Sequence, residues 1–525
     1  MTTGATTTYR SAAADGRESF WHLVRAEWTK FRTVRGWLIA MIVAIAAITA
    51  FVFLASDVGS SCSASGGGPG GGSACPGPPD GPGGEPVNDA FYFVHQPLTG
   101  NGTITVQVTS LTGQQSVGPN QMAPGLAPWS KAGIIIKANT SQGSAYAAMM
   151  VTGSNGVRMH WDYVNDTPGL TGSVSASAPR WLRLVRDGST ITGSDSADGT
   201  HWTLVGTAAL PGLTSTVQAG LFAAGTGSEN PTVATGVFRH IGLSWPATRW
   251  TGTNVGGVNG PNDPNGVALP GTLRQSAGTI TVTGYGDISP QLSPLGAWSI
   301  QRALDGTAIG LIPLIVVGAM FITAEYRRGL IRVSLAASPR RGRLLAAKAV
   351  VIGAVSFVTG LIAAALAVTI GTHTLASSNQ PLWPVPALTL ARMVVGTAAL
   401  LAVAAVLALA IGTIQRRSAT AVATAIVVIF VPYLLAIVPD LQPGPAGLTG
   451  GGLALGGREL LLRITPAAGF SVQQAVPRFS QLTGIFYTPN WGYYPLAPWA
   501  GFAVECAWAA AALALAFYLL RRRDT

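Results

Sequence analysis

The chain has 525 residues, and its composition excludes an ordinary soluble protein. Only 10% of the residues are charged, whereas soluble proteins carry about 25%, and the mean hydropathy is +0.39. The formal net charge is +11, but the arginines cluster beside apolar runs, which is typical of membrane flanks and not of a nucleic-acid surface. We therefore expect a membrane protein that contacts lipid and binds no nucleic acid.

The first predicted element is an amphipathic helix at 19–35, after a Thr/Ala-rich, disordered N-terminus at 1–18. Its apolar face carries tryptophans and is interrupted only by Glu27, while basic residues lie on the other face. This pattern favours a helix in the membrane interface, and a core helix of a soluble domain is the alternative.

A first transmembrane helix is predicted at 36–55, because about 20 apolar residues suffice for one crossing. A signal peptide is the alternative, but this apolar core is longer than the usual 7–15 residues or so. We interpret the segment as an uncleaved anchor. Its N-terminus is held in the cytoplasm by four basic residues, Arg25, Lys30, Arg32 and Arg35.

The stretch 56–86 is rich in Gly, Ser and Pro, which predicts a flexible linker. It contains Cys62 and Cys75, on the side predicted to lie outside the cell, where a disulfide is permitted; two free thiols are the alternative. The third cysteine, Cys506, lies in an apolar run. No group of residues has zinc-ligand spacing, so no metal is expected.

In residues 87–245 apolar and polar residues alternate with a period of two, which is typical of β-strands. The dipeptides Asn155-Gly156, Asp187-Gly188 and Asp198-Gly199 predict hairpins with type I′ turns. Together they indicate an all-β antiparallel sandwich. Nine strands are expected, at 103–109, 132–138, 145–151, 157–164, 181–186, 190–194, 202–205, 217–224 and 236–243.

The rest of the chain is predicted as a stalk and five more membrane spans. The stalk covers 246–304, with one hairpin near 278–285, and transmembrane helices two to six lie within 305–523. The fold is therefore a six-helix transmembrane bundle with the sandwich inserted between the first and second spans. The five spans are expected at 306–323, 349–370, 390–414, 419–438 and 498–520, with a re-entrant or surface helix near 457–470.

The connection between the second and third spans, 325–348, is dense in arginine and contains a single acid, Glu325. Lys and Arg concentrate in the cytoplasmic loops of membrane proteins, so this loop fixes the orientation of the chain. Both termini are then cytoplasmic and residues 56–304 are extracytoplasmic, in a multi-pass protein.

The chain has no ATP-binding loop of the form G-x-x-x-x-G-K-[ST]. Only four lysines are present, and none follows such a glycine. The chain is therefore not expected to be an enzyme or to bind a cofactor itself.

Two stretches resemble the permease subunit of type-2 ABC exporters, especially actinobacterial ones. The first is F-W-H-L-V-R-A-E-W-T-K-F-R-T-V-R-G-W at 20–37, and the second is T-A-E-Y-R-R-G-L-I-R-V-S-L-A-A-S-P-R-R-G-R-L-L-A-A-K at 323–348. The resemblance covers 19–56 and about 300–523. It implies a bacterial cell-membrane protein whose partner is an ABC ATPase subunit that binds the ATP. A second permease copy or a paralogue would complete the pathway.

In this family the first cytoplasmic loop docks into the ATPase. The resemblance carries a coupling helix onto residues 325–337, where Gly329 would allow close approach and Ser338-Pro339 would break the helix. For the arginines, the alternative is that they only keep the loop in the cytoplasm. For Glu325, the alternative is a pair with a nearby arginine. The coupling residues are Glu325, Tyr326, Arg327, Arg328, Gly329, Arg332 and Pro339.

The insert resembles concanavalin-like, laminin-G-like jelly-roll domains through W-L-R-L-V-R-D-G-S-T-I-T-G-S-D-S-A-D-G-T-H-W-T-L-V-G at 181–206. Related glucanases use paired carboxylates, but no E-x-D-x-E occurs in the insert, so hydrolysis is not expected. Ligand binding remains open, because many such domains hold glycans. Trp129, Trp161 and Tyr163 are the candidate sugar-stacking residues, with core packing as the alternative for each.

Glu505 lies inside the last span, where an ionisable residue is a functional candidate. Arg392, at the start of the fourth span, is its candidate partner, and separate snorkelling of the two is the alternative. Two rival functions remain: a membrane-anchored protein that binds an extracellular glycan or protein, and a sensor that signals through an ATPase. The first rival needs only one span, so six spans argue against it.

Overall fold

A computed structural model describes the chain in a β-rich part followed by apolar helices. The described residues are 20–57, 78–118, 121–226, 232–256, 271–292, 299–327, 329, 341–377, 381–437, 455–482, 489 and 492–523. Cys62 and Cys75, and therefore the predicted disulfide, lie outside them.

Apolar composition and length dictate the helical part. Six helices in the described residues are long and apolar enough to cross a membrane, at Arg35–Phe53, Ile300–Arg327, Arg341–Leu375, Ala387–Gln415, Ser418–Ile437 and Pro498–Arg522. They agree with the six predicted spans. The α-helices are α1 Phe20–Thr33, α2 Arg35–Asp57, α3 Thr307–Arg327, α4 Arg341–Ser377, α5 Ala387–Gln415, α6 Ser418–Ile429, α7 Val431–Ile437, α8 Leu455–Ile464 and α9 Pro498–Arg523.

Two helices differ from the expected spans. Helix α4 begins at Arg341, eight residues earlier than the span expected at 349–370, because Arg, Leu, Ala and Lys are good helix formers and extend it beyond the membrane. The fifth span is divided at Phe430 into α6 and α7. Pro432 lacks a backbone N–H and favours the first turn of a helix, which accounts for a new start at this place.

Two short 3₁₀ helices accompany the spans. One, η1 (Ile300–Leu304), leads into α3, and Ser299 caps it through a hydrogen bond from the Gln301 backbone N–H. The other, η2 (Pro466–Gln473), follows α8, and all eight of its residues are buried. Together, α8 and η2 occupy the region expected to hold a re-entrant or surface helix.

The β-rich part consists of two large antiparallel sheets and a two-stranded ribbon. One sheet has the order β14-β2-β12-β5-β6-β7-β8, and the other has the order β11-β10-β9-β3-β13-β16-β15, with β4 beside β3. The strands are β1 Val87–Asp89, β2 Phe91–Thr99, β3 Gly102–Gly118, β4 Gln121–Pro124, β5 Lys131–Lys137, β6 Tyr146–Thr152, β7 Val157–Trp161, β8 Asn165–Pro168, β9 Arg180–Asp187, β10 Thr190–Ser196, β11 Thr203–Ala209, β12 Thr216–Ala224, β13 Thr232–Leu243, β14 Thr251–Val255, β15 Thr272–Ser276, β16 Thr279–Tyr285 and β17 Ile288–Pro290.

The main core of this part lies between the two sheets. Alternate residues of β5, such as Ile134 and Ile136, face residues of β3 and β9 on the opposite sheet, such as Val106 and Leu184. A second apolar cluster covers the other face of the seven-stranded sheet and includes Ile135. Both faces of β5 are therefore buried, and we refer to the whole β-rich part as the sandwich.

Each of the nine predicted strands corresponds to a strand of the sheets, but the sheets also contain strands that the period of two did not indicate. Strand β2 is buried on both faces except near Pro97, so its residues do not alternate between polar and apolar. Beyond residue 245, β14 pairs with β2 and β16 pairs with β13. The described residues of 246–292 thus complete the sheets, where the sequence suggested a stalk.

The turn types also differ from expectation. Gly156, Gly188 and Gly199 have positive φ, but the Asn or Asp before each of them does not, so these are not type I′ turns. Two consecutive positive φ values occur instead at Asp162-Tyr163, between β7 and β8, and at Ala277-Gly278, between β15 and β16. The first of these pairs contains no glycine.

The chain enters and leaves the sandwich through one ribbon, in which β1 pairs with β17. Two buried lysines of β5 fix it. Lys137 Nζ lies 2.7 Å from Asp89 Oδ2 of β1, and Lys131 Nζ lies 2.6 Å from Asp287 Oδ1, next to β17. The segments that lead to the first and second spans therefore begin side by side.

Candidate functional site

Four charged side chains from three helices meet at the arginine-rich end of the bundle. Lys348 Nζ of α4 lies 2.7 Å from Glu27 Oε2 of α1 and 2.7 Å from Glu325 Oε1 of α3. Lys30 Nζ of α1 lies 2.8 Å from Glu27 Oε1 and 3.2 Å from Glu325 Oε1. Two lysines and two glutamates thus share their charges, and we call this group the charge cluster.

The charge cluster is largely withdrawn from solvent. Lys348 is fully buried, Glu27 is 2% exposed and Glu325 is 9% exposed, whereas the Lys30 side chain is 43% exposed. Burial works against the charge of Lys30, but hydrogen bonds and attraction from Glu27 and Glu325 outweigh it and raise its pKa above the ordinary value. Removing one member of a buried ion pair destabilises a protein by about 3–5 kcal/mol, because the partner is left as an unpaired buried charge, so the cluster fixes the relative position of its three helices.

Aromatic rings close the charge cluster on its apolar side. Lys348 Nζ lies 4.7 Å from the centre of the Phe321 ring. The rings of Phe31 and Trp37 pack against Phe321, with centroid distances of 6.0 and 5.2 Å. These contacts connect α1, α2, α3 and α4 around the same point, and they exclude water from the lysine.

The position of Glu27 explains how α1 sits on the bundle. Glu27 and Phe31, one turn apart, are the buried residues of α1, whereas Trp21 and Trp28 are exposed. The helix therefore turns its acid and one aromatic ring towards the other helices and leaves its tryptophans for the lipid. The single acid that interrupted the apolar face was the sequence signal for this contact.

The charge cluster flanks the predicted coupling loop. Glu325 stands near the end of α3, and Lys348 stands about two turns into α4, so they bracket 328–340. Arg327 and Gly329 are exposed, and Gly329 has φ +68°, a conformation that favours glycine. The Arg416 guanidinium, which follows α5, lies 5.2 Å from the centre of the Tyr326 ring. Arg328, Arg332 and Pro339 lie outside the described residues.

The three aromatic residues proposed to stack on a sugar do not present open rings, and Trp161 and Tyr163 belong to different apolar clusters of the sandwich. Tyr163 is fully buried and Trp129 is 6% exposed, and Trp161 packs against the sandwich core. The Tyr163 hydroxyl donates to Asp89 Oδ2 at 2.6 Å, and Lys137 Nζ donates to that hydroxyl at 3.0 Å. These contacts match the core-packing alternative better than a sugar-binding face.

Arg392 and Glu505 are placed apart. The Arg392 guanidinium donates to the carbonyl of Gln474, and no ion pair joins it to Glu505 among the described residues. Glu505 is 1% exposed and lies against Gly469 of η2, and its Oε2 has no hydrogen-bond partner in the described part of the chain. The structure thus brings together α9 and η2 here, but not the predicted pair.

Sequence reasoning named Glu325 but missed the other three members of the charge cluster as site residues. Lys30 and Glu325 are 295 positions apart, so no local pattern connects them. The rarity of lysine was the available signal. Lys30, Lys131, Lys137 and Lys348 are the only lysines of the chain, and each of them forms an ion pair.

Comparison with protein families gives a match over residues 216–525, more than half of the chain, to the model described as ABC-2 family transporter protein. The chain belongs to the ABC-2 family. It is accordingly a multi-pass membrane permease of an ABC transporter, and its family implies an ABC ATPase as partner. The match includes both helices that carry Glu325 and Lys348, and it begins within the sandwich, at β12.

Comparisons with individual proteins add little to this ABC-2 permease. No curated protein matches it. A functionally unknown protein from Saccharomyces cerevisiae is similar at 16% identity and a TM-score of 0.22, over 30% of this chain and 76% of the other. A scytalido-glutamic peptidase, solved with a transition state analog inhibitor, is similar at 10% identity and a TM-score of 0.24, over 37% of this chain and 98% of the other. At these TM-scores neither likeness supports a conclusion about the permease.

Proposed function

We propose that this permease is the membrane-spanning subunit of an ATP-driven exporter. In this proposal the permease is of actinobacterial type, and its loop at 325–348 docks into a separate ATPase on the cytoplasmic side. Two copies, or one copy and a paralogue, enclose the pathway. The sandwich, a concanavalin-like, laminin-G-like domain, lies outside the cell and binds a ligand or partner. ATP binding must then favour one conformation of the bundle over the other for transport to follow.

The observation that carries the proposal is the position of the charge cluster at the two ends of this loop. Glu325 and Lys348 are joined at 2.7 Å, so a displacement of the loop moves the end of α3 and the beginning of α4 together. Glu27 and Lys30 attach α1 to the same point. A push from the ATPase would therefore reach three helices as one unit.

Sidedness is supported by the charges at the two ends of the bundle. Arginines flank the loop and the end of the chain, at Arg327, Arg341, Arg521, Arg522 and Arg523, as expected for the cytoplasmic side. The segment that leads from the sandwich to the bundle enters at η1, and α3 then runs about 30 Å from there to Arg327. Sandwich and arginines thus lie at opposite ends of α3.

The test is ATP hydrolysis by the complex of permease and ATPase in lipid nanodiscs. We expect the ATPase to co-purify with the tagged permease, and we expect Glu325→Gln to reduce the permease-dependent hydrolysis by about tenfold or more, since hydrogen bonds to charged groups contribute about 1.5–3 kcal/mol. Glu459→Gln is the matched control, because Glu459 forms an exposed pair with Arg463 in α8. Absence of any co-purifying ATPase, or equal hydrolysis by both variants, would refute the coupling.

A further inference from the structure

Among the described residues, the hairpin β7–β8 of the sandwich contacts the helical bundle, and we call it the docking hairpin. Ser480 Oγ donates a hydrogen bond to Asp166 of β8. Gln481 Nε2 donates to the backbone carbonyl of Tyr163 in the turn, at 3.4 Å. Val164 packs against the apolar core of the bundle. The contacted residues belong to the segment 474–482, which we call the support segment.

The sandwich holds the docking hairpin rigidly. Arg158 Nε lies 2.8 Å from Asp166 Oδ1, and the Arg158 guanidinium lies 5.4 Å from the centre of the Trp129 ring. His160 Nε2 is 2.9 Å from the same carboxylate oxygen. Burial alone would raise the pKa of Asp166, but these hydrogen bonds and that of Ser480 hold it well below its usual range. One charged carboxylate is therefore shared between the sandwich and the bundle.

The turn of the docking hairpin is in an unfavourable backbone conformation. Asp162 has φ 44° and Tyr163 has φ 61°, which bulky residues rarely adopt. Such a conformation persists only where surrounding contacts enforce it. The bonds of the Tyr163 hydroxyl to Asp89 and Lys137 supply that enforcement on one side. On the other side, the Gln481 side chain donates a hydrogen bond to the Tyr163 carbonyl.

On the bundle side, the support segment follows η2 directly and connects it to the docking hairpin. Gln473 Nε2, at the end of η2, donates to Thr307 Oγ1 of α3 at 3.0 Å and to Thr397 Oγ1 of α5 at 3.2 Å. The backbone N–H of Ala475 donates to Gln301 Oε1 at 3.3 Å. Each of these bonds connects the support segment, or the η2 residue before it, to a span or to η1.

The 3₁₀ helix η2 lies deep in the bundle, between α5 and α9. Val472 packs against Gly396, nine residues into α5, which places it about 14 Å from the beginning of that helix. Backbone that is not α-helical is tolerated at such depth only where protein covers it or where it lines an aqueous path. The helix α9 covers η2, because Gly469 leaves room for Glu505 and Gly501 leaves room for Ser471.

We propose that the docking hairpin is a latch that holds η2 in its closed position at the sandwich end of the pathway. A ligand or partner bound by the sandwich would then change the stability of η2 by changing the position of the hairpin. The role of the latch in transport rests on the proposed function. The contact between the docking hairpin and the support segment does not depend on that function.

The test measures hydrogen exchange of backbone amides in the purified full-length permease, without any ATPase. We expect Ser480→Ala and Asp166→Asn each to accelerate exchange about five- to tenfold, both in the support segment and in η2, because each removes a hydrogen bond of the latch. The double variant should resemble Asp166→Asn, because that substitution weakens both the bond from Ser480 and the pairing with Arg158 within the hairpin. Ser480→Ala leaves every contact within the sandwich intact.

Two substitutions within the sandwich serve as matched controls. Ser175→Ala and Asp198→Asn alter an exposed serine and an exposed aspartate whose bonds stay within their own turns. They should leave exchange in η2 unchanged. The latch is refuted if exchange in η2 is unaffected by Ser480→Ala, even where the support segment alone exchanges faster, because a local contact would have that effect. This readout is unaffected by failure of the ATPase experiment.

Discussion

The sandwich buries Lys131 and Lys137 within one domain, whereas the bundle uses Lys30 and Lys348 to join helices that lie on both sides of the basic loop. In the sandwich each lysine fixes one strand of the ribbon through which the chain passes. In the bundle one lysine bridges two acids from different helices. Buried ion pairs add little stability compared with apolar packing, so their value lies in specifying position.

The two regions also differ in what would move if a pair were broken. The partners of Lys137 belong to a closed network with Asp89 and the Tyr163 hydroxyl, and strands on both sides hold them in place. Of the two partners of Lys348, Glu325 belongs to α3, whose end leads into the loop after Arg327, and Glu27 belongs to α1. Loss of the first pair should therefore affect the stability of the sandwich and the turn of the docking hairpin, whereas loss of the second should affect stability and coupling to the ATPase together.

The largest effect is expected for Lys348→Met. It leaves Glu27 and Glu325 buried with only the half-exposed Lys30 near them, and we expect it to lower the free energy of unfolding by about 3–5 kcal/mol. Chemical unfolding of the detergent-solubilised permease measures this loss, and ATP hydrolysis by the complex should fall in parallel. Arg463→Met is the control, since its exposed pair with Glu459 contributes at most about 1 kcal/mol. Equal unfolding of the two variants would contradict the assignment.

A somewhat smaller effect, about 3 kcal/mol, is expected for Lys137→Met, because Asp89 keeps its hydrogen bonds from Tyr163 and from the Gly143 backbone N–H. Denaturant unfolding of the fragment 78–292 measures it. The double variant Lys137→Met, Asp89→Asn should recover part of the loss, because it removes the unpaired charge. Per folded molecule, ATP hydrolysis by the full complex should remain unchanged. A loss of hydrolysis equal to that of Lys348→Met would remove the distinction between the two regions.

The membrane spans could be predicted from the sequence because the bilayer imposes their length and polarity on each segment separately. Strands such as β9 and β10 could be predicted for a similar reason, since one face of each is more polar than the other. Apolar clusters cover both faces of β5, β6 and β2, so polarity does not distinguish their faces, and β2 was missed. After residue 245, β15 and β16 form a hairpin where the sequence indicated one, whereas β14 is short and pairs with the distant β2, which no local period reveals.

Residues of the candidate site could be predicted only where the pattern that indicates them lies within one short segment of the sequence. Arginines beside a span indicated the loop, and Glu325 was its single acid. Lys348 was within the predicted loop, but its pairing with Glu27 depends on helices that are 321 positions apart in the chain. Trp129, Trp161 and Tyr163 were chosen for their rings. Tyr163 bonds to the sandwich through its hydroxyl and to the bundle through its carbonyl, and residue type alone does not indicate these contacts.

The smallest effect concerns pH and the turn of the docking hairpin. Burial raises the pKa of Asp162 to about 6, against an ordinary value of 3.8, although the Tyr146 backbone N–H and Lys137 act in the opposite direction. The folded state therefore retains a proton that the unfolded chain releases near pH 4. Its stabilising contribution is complete below about pH 4 and is lost as the pH rises through about 6.

Asp162→Asn should remove this dependence. Asn tolerates positive φ and keeps an oxygen for the Tyr146 N–H. We expect fragment 78–292 to gain on the order of 1 kcal/mol at pH 7, after allowance for solvent at this half-buried site, and to change little at pH 4. Glu85, whose pKa burial also raises, should leave a residual slope of the same sign. Asp187→Asn, at an exposed turn, is the control. An unchanged pH profile would show that Asp162 is charged in the fold. The docking hairpin would then carry two charged acids, Asp162 and Asp166, whereas in the charge cluster each glutamate is balanced by a lysine.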